Sequence, residues 1–218
     1  MKSASSGMDY FRLLVADPEA IPLFEAAASI AMDADPTLDL QEVLSQFDQL
    51  ASQLAARCRR ASTELARLQA LVPMFQGAQG FTGNATNYYD PDNSYLHRVL
   101  QTRRGIPISL AVLCIELARH IGLNAHGLSF PGHFLVRIDL HEGAVVFDPF
   151  TARSLDHAEL LHRAGSNPAE LERLMSPASN RQILIRMLSN LQAIHAQQGR
   201  ADLLDKVMTR LRLLQGSN

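Results

Sequence analysis

The sequence predicts an α+β fold: helices on both sides of a small antiparallel sheet, closed by a short helical tail. Two observations carry this. Between Asn124 and Asp148, three short runs are set off by Pro131-Gly132 and by His141-Glu142-Gly143, and the middle run alternates strictly with the two-residue period of a strand. On both sides of that block, apolar residues recur every three to four positions, the period of a helix that buries one face.

Helices are expected from Met8 to Phe75. A short one covers Asp9–Ala16, and a second runs from Pro22 to Met32 with Leu23, Phe24, Ala27 and Ile30 on one side. Asp39 caps a long helix reaching about Arg60, with Leu40, Val43, Leu44, Phe47, Leu50 and Leu54 inward. Ser62 is expected to cap the next, which carries Leu65, Leu68 and Leu71. Gln76–Asp92 is the longest irregular stretch, rich in the glycines and asparagines that turns require. A helix from Asp92 to Thr102 follows, with Tyr95, Leu96, Val99 and Leu100 inward.

Gly105-Ile106-Pro107 reads as a helix start. Proline suits the first helical position, where its missing N–H costs nothing and its fixed φ already fits. From Ile108 to Ile121 the helix is apolar on most faces, so it is expected to be buried on most faces, and Gly122 ends it. Asn124–Phe130 is the first strand. In His133–Leu140, Phe134, Val136, Ile138 and Leu140 take one face, and His133, Leu135, Arg137 and Asp139 take the other. Ala144–Asp148 returns as the third strand, stopped by Pro149. If the turn is the two residues His141-Glu142, Leu140 faces Gly143, and His133 and Asp148 become diagonal neighbours on one face, roughly 7–8 Å apart at Cα. A three-residue turn would send them to opposite faces.

A helix whose N-terminus faces a histidine on one strand and an aspartate on the next resembles the transglutaminase-like, papain-related superfamily. The motifs GNATNYYDPDNSYL, RRGIPISL and PGHFLVR narrow this to a resemblance to the bacterial SirB-one family, over about Glu25 to Leu214. The resemblance implies a transglutaminase-like domain over residues 8–175, with its core at 76–150, and a tetratricopeptide-like helical hairpin at 176–218. In active members a nucleophilic cysteine stands at the helix N-terminus. Counting back from Gly122 puts that slot near Pro107, where there is no cysteine. Ser109, two positions on, is the hydroxyl at hand. Cys114 lies about two turns into the helix, where a small buried hydrophobe is expected. His133 and Asp148 match the family's histidine and aspartate, but these two groups alone make no nucleophile.

The expected function is therefore a non-enzymatic protein-interaction or regulatory module. The alternative is a hydrolase or acyltransferase using His133 as base, Asp148 as its orienter, and Ser109 or water as nucleophile. The loop residues Asn84, Asn87, Tyr88, Tyr89, Asp90 and Asn93 are candidates for lining a groove beside His133, or for recognising a ligand there. The plainer reading is asparagines that bond their own backbone and tyrosines that cover the core edge.

No cofactor is implied. His126, His133 and His141 have no compact ligand spacing, and His141 lies roughly 25 Å from His133 along an extended strand, so no metal is expected. The formal charge of −2 on 218 residues gives no global attraction to nucleic acid or anionic lipid. The basic Arg57, Arg59 and Arg60 complement the end of a helix. The start MKSASSGMDYF does not read as a signal peptide, and no stretch approaches the roughly 20 apolar residues of a membrane span. The two cysteines give no disulfide framework, and a reducing cytoplasm is the expected compartment.

After Phe150 the pattern is helical again. Ser154 is expected to cap Leu155–Arg163, and Asn167-Pro168-Ala169-Glu170 starts another helix with Glu170 reaching back. Ser179 or Asn180 opens a helix carrying Ile183, Leu184, Met187, Leu188, Leu191 and Ile194, and Gly199 separates it from Ala201–Leu214. One such helical pair cannot bury its own apolar face. It either docks on the protein's own core or offers a surface for a protein partner or self-association.

Overall fold

In the computed structural model, residues 7–216 are described. The segment read above for a signal peptide, and the last two residues of the 176–218 segment, fall partly or wholly outside them. Ten α-helices, four short 3-10 helices and six strands are present among the described residues, an α+β arrangement.

The organising element is α6 (Pro107–His120). Leu110, Val112, Leu113, Ile115 and Leu117 are all fully buried, each side chain contributing roughly 1.5–3 kcal/mol by leaving water. Ile106, at the N-cap, has no side-chain oxygen to offer. Its own N–H is instead accepted by the Ser109 hydroxyl at 3.1 Å. Four helices pack directly on α6 from before it in the chain: α2 (Leu23–Ser29), α3 (Leu40–Arg57), α4 (Glu64–Leu71) and α5 (Leu96–Thr102). The short α1 (Gly7–Leu14) lies against α2.

The main sheet is antiparallel, in the order β3 (Asn124–Leu128), β4 (Leu135–Leu140), β5 (Gly143–Asp148) and β6 (Arg153–Leu155). Its two faces have separate cores. Phe134, Val136 and Ile138 join the large cluster around α6. Leu128, Leu135, Val146 and Leu155 form a second cluster with Leu160 and Ala164 and with Leu171 and Leu174. These come from α7 (His157–Arg163), the residue following it, and α8 (Pro168–Leu174). Helices therefore cover both faces, as the helical patterns on either side of the strand block predict; the alternation of Phe134–Leu140 alone accounts for one buried face.

Five local readings change. The run after Phe150 begins as strand β6, because Arg153–Leu155 pairs with Val146–Asp148. The cap of α7 is then Asp156, which accepts from the Glu159 N–H at 2.8 Å, and not Ser154. Thr63, not Ser62, caps α4. Asn167 caps α8 as expected, but Glu170 turns outward to hold Arg173 at 2.7 and 2.9 Å. The region 91–102 is a 3-10 turn followed by α5, not one helix. A two-residue parallel pairing of β1 (Thr82–Gly83) with β2 (Arg104–Gly105) has no periodic signal at that length, and it ties the irregular loop to the entry of α6.

The C-terminal hairpin is α9 (Asn180–Gln197) and α10 (Ala201–Gln215). Ser179 and Gln182 form a reciprocal capping box at its start. Ile183, Leu184, Met187, Leu188 and Leu191 are fully buried in the same cluster as α6. From α10, the fully buried Arg210 makes a bidentate pair with Asp33 at 2.6 and 2.9 Å, and its guanidinium stacks on the Phe11 ring at 4.6 Å. The hairpin is thus anchored on both the α6 core and the N-terminal helices.

Candidate functional site

The β4–β5 connection is the two-residue turn. Leu140 pairs with Gly143 and Val136 with Phe147, and the next step of that register sets Leu135 opposite Asp148. The geometric condition for bringing the histidine and the aspartate together is met. His133 Nε2 lies 2.7 Å from Asp148 Oδ2. A tight turn supplies the rest: Gly132 takes φ +67°, and the His133 N–H bonds to Phe130 O at 3.1 Å.

Asp148 is fully buried, and its oxygens are well supplied with donors. Oδ2 also accepts from the Thr151 hydroxyl at 2.8 Å, and Oδ1 accepts from the N–H groups of Phe150 and Thr151 at 3.0 and 3.4 Å. Arg163, from α7, brings a guanidinium nitrogen to 4.0 Å. Burial pushes the Asp148 carboxyl up. The hydrogen bond and charge of His133, with the Thr151 and Phe150 donors, outweigh it and hold the group below the usual carboxylate range. With Nε2 donating to this carboxylate, a neutral His133 ring leaves Nδ1 as a lone-pair acceptor. Nδ1 has no hydrogen-bond partner among the described residues.

Aromatic rings flank the imidazole. The Phe150 ring meets His133 edge-on with centroids 5.9 Å apart, and Tyr88 meets Phe150 at 6.3 Å. Gly83 lies so close to Phe150 that a Cβ there would fall 2.5 Å from the ring, so this position admits no side chain without moving Phe150.

The remaining predicted residues divide clearly. Asn84 Nδ2 donates to Asn93 Oδ1, Asn87 Nδ2 to Asp90 Oδ2, and Asn93 Nδ2 to Asn87 O. These groups hold the loop together. Tyr88 is half-buried and reaches the His133 surroundings through Phe150, whereas Tyr89 is 65% exposed. Ser109 is fully buried, and its hydroxyl donates to Asn93 O at 2.6 Å, joining the loop to α6. His133 is not among its partners. Cys114 is fully buried, and burial alone pushes its thiol far above the ordinary range. Cys58 is half-buried and also raised, by burial first, with Arg67 opposing.

Sequence reasoning missed Phe150, Thr151 and Arg163. The Asp148-Pro149-Phe150-Thr151 spacing, an aspartate followed by turn residues and a hydroxyl, was a readable signal for a carboxylate that bonds its own turn. Arg163 had none, because it arrives from a separate helix. No group of three or more His, Cys, Asp or Glu residues suited to a metal occurs among the described residues. No described helix is long and apolar enough to cross a membrane.

The site is thus a buried aspartate at the end of β5 bonded to a partly buried histidine in the turn that enters β4, in a fold built on a central buried helix. The comparison with known families is more particular. Residues 41–189 match the model of the transglutaminase-like superfamily, and the chain belongs to that family. It is 39% identical over 198 residues to a UPF0162 protein of Xylella fastidiosa, covering 87% of this chain and 70% of that one. It is 34% identical over 190 residues to the UPF0162 protein PA3419 of Pseudomonas aeruginosa, covering 85% and 68%. A 57-residue stretch is 46% identical to F-box only protein 21 of Mus musculus, 26% of this chain and 9% of that protein. No solved structure matches.

Proposed function

We propose that this transglutaminase-like domain is a non-catalytic binding module, which presents the His133–Asp148 pair and its aromatic surround to a ligand without turning it over. One observation carries the reading: the pair is assembled, yet neither cysteine serves it, Cys114 being sealed inside α6. The test is hydrolysis of an activated ester and of a peptide anilide by the parent and by His133→Ala. Equal rates support the binding module. A fall of about tenfold or more in the variant sinks it.

That second outcome would favour the hydrolase or acyltransferase reading, with His133 as base, Asp148 as orienter and water as nucleophile. What speaks for this reading is the unpartnered Nδ1. Ser109 would first have to give up its bond to Asn93 O.

The SirB-one assignment within the family, supported by the three motifs, belongs to the same proposal, as do the cytoplasmic setting and a C-terminal partner surface. Leu203, Leu204 and Met208 of α10 are only half-buried, which suits contact with a protein partner or a second copy. Sedimentation of the parent against a Leu204→Glu, Met208→Glu variant tests self-association.

A further inference from the structure

A cleft of about 580 Å³ opens at the link between β3 and β4. One wall is the Ser129–Pro131 link between β3 and β4, which ends two residues before His133. The other is built by the end of α8, the Ser176–Ala178 link and the first turns of α9. Phe130, Pro131, Leu174 and Pro177 give it an apolar floor, and no carboxylate lines it.

Two arginines do. Arg173 is neutralised by its bidentate pair with Glu170. Arg186 has neither a hydrogen bond nor an ion pair among the described residues, although it is half-buried. Its charge also acts on Tyr88, whose ring packs on Phe150 next to His133. Other donors are also unspent. Gln182 uses its Oε1 on the Ser179 N–H and leaves its amide NH₂ without a partner. The hydroxyls of Ser129 and Ser176 likewise have none among the described residues.

A site with a free guanidinium, several neutral donors and no acid is built for a single negative charge. The planar fork of an arginine matches a carboxylate in a bidentate way. A phosphate dianion is more often met by several cations, or by the free N–H groups of a helix start. Here the start of α9 is already occupied by the Ser179–Gln182 box. The volume, in the range of ordinary ligand pockets, suits a short extended peptide. We propose that this cleft binds an acidic peptide segment, with Arg186 as counter-ion to a glutamate or aspartate side chain. The proposal deepens the binding-module reading and rests on it.

The test is an NMR titration of the ¹⁵N-labelled full chain, following the Arg186 Nε–Hε signal, assigned by its loss in Arg186→Gln. The probes are acetyl-Ala-Glu-Leu-Ala-amide, the same peptide with glutamine for glutamate, and inorganic phosphate. A saturable shift with the glutamate peptide, at least about tenfold weaker with the glutamine peptide, is the expected result. Equal responses to the two peptides, no saturation with either, or tighter binding of phosphate than of the glutamate peptide would each overturn it. The peptide pair decides the matter even if the Arg186→Gln protein folds poorly. Ester hydrolysis dependent on His133 would overturn the binding-module reading alone, without moving the Arg186 signal.

Discussion

Asp33→Asn is the most informative single change for the fold. It leaves the Arg210 guanidinium fully buried, facing a neutral amide. The wild-type pair is bidentate at 2.6 and 2.9 Å, and the second guanidinium nitrogen also donates to Gly7 O and Ser29 O at 3.4 Å. One terminal nitrogen, Nη1, is buried with no hydrogen-bond partner among the described residues, so the site has little spare capacity to absorb a lost acceptor. Breaking a buried pair from one side costs about 3–5 kcal/mol, because the remaining charge is uncompensated. At about 2–4 °C per kcal/mol for a chain of this size, melting should fall by on the order of 6–20 °C. Urea unfolding followed by far-UV circular dichroism measures the same quantity. Arg210→Met should cost a similar amount, with the loss of the Phe11 stacking included. The double variant Asp33→Asn, Arg210→Met should cost clearly less than the two single changes together, since no charge is left buried. A cost below about 1 kcal/mol for Asp33→Asn, or strict additivity in the cycle, would refute the idea that this pair pins α10 to the N-terminal helices.

Three further outcomes are expected. Site-resolved alkylation should modify Cys58 first and leave Cys114 protected until global unfolding; rapid reaction at Cys114 in the native protein would contradict its burial. Asp148→Asn should lower stability near neutral pH by about 1.5–3 kcal/mol, the scale of hydrogen bonds to a charged group. Since the folded Asp148 is held below its unfolded value, its contribution is complete above about pH 4 and is lost as pH falls through the folded value. The parent and variant unfolding curves should therefore converge only at more acidic pH, and a constant gap through that range would count against the donor cluster. Tyr10, which donates to Glu25, should ionise at about 12 in an ultraviolet titration, pushed up first by that hydrogen bond and then by burial; Glu25→Gln should bring it back towards the ordinary tyrosine range.

The α6 helix was legible because its signals are local and redundant. Pro107 at the first position, a run apolar on most faces and Gly122 at the end all agree. The dyad was legible because strand period and turn length fix which residues share a face, and a two-residue turn is a short-range choice. Strand β6 was misread as helix since Arg153–Leu155 is too short to show a period, and only pairing with β5 makes it a strand. The asparagines of the loop could be recognised as turn residues, but not assigned partners. Asn93 is fixed by Asn84, Asn87, Tyr88, Ile106 and Ser109 together, and that arrangement exists only after the chain folds back.

By itself the sequence determined the α+β class, the buried central helix and the strand faces, all properties of short-range periodicity and turn chemistry; it offered the pairing of His133 with Asp148 on condition of a two-residue turn, and the structure supplies that turn. Tertiary structure alone decided that the Ser109 hydroxyl bonds Asn93, that Arg210 meets Asp33 across 177 residues, and that Arg186 lines the cleft without a hydrogen bond or ion pair among the described residues. The physical reason is the same in each case. A side chain's partner is set by which distant surfaces pack together, and no local pattern encodes that.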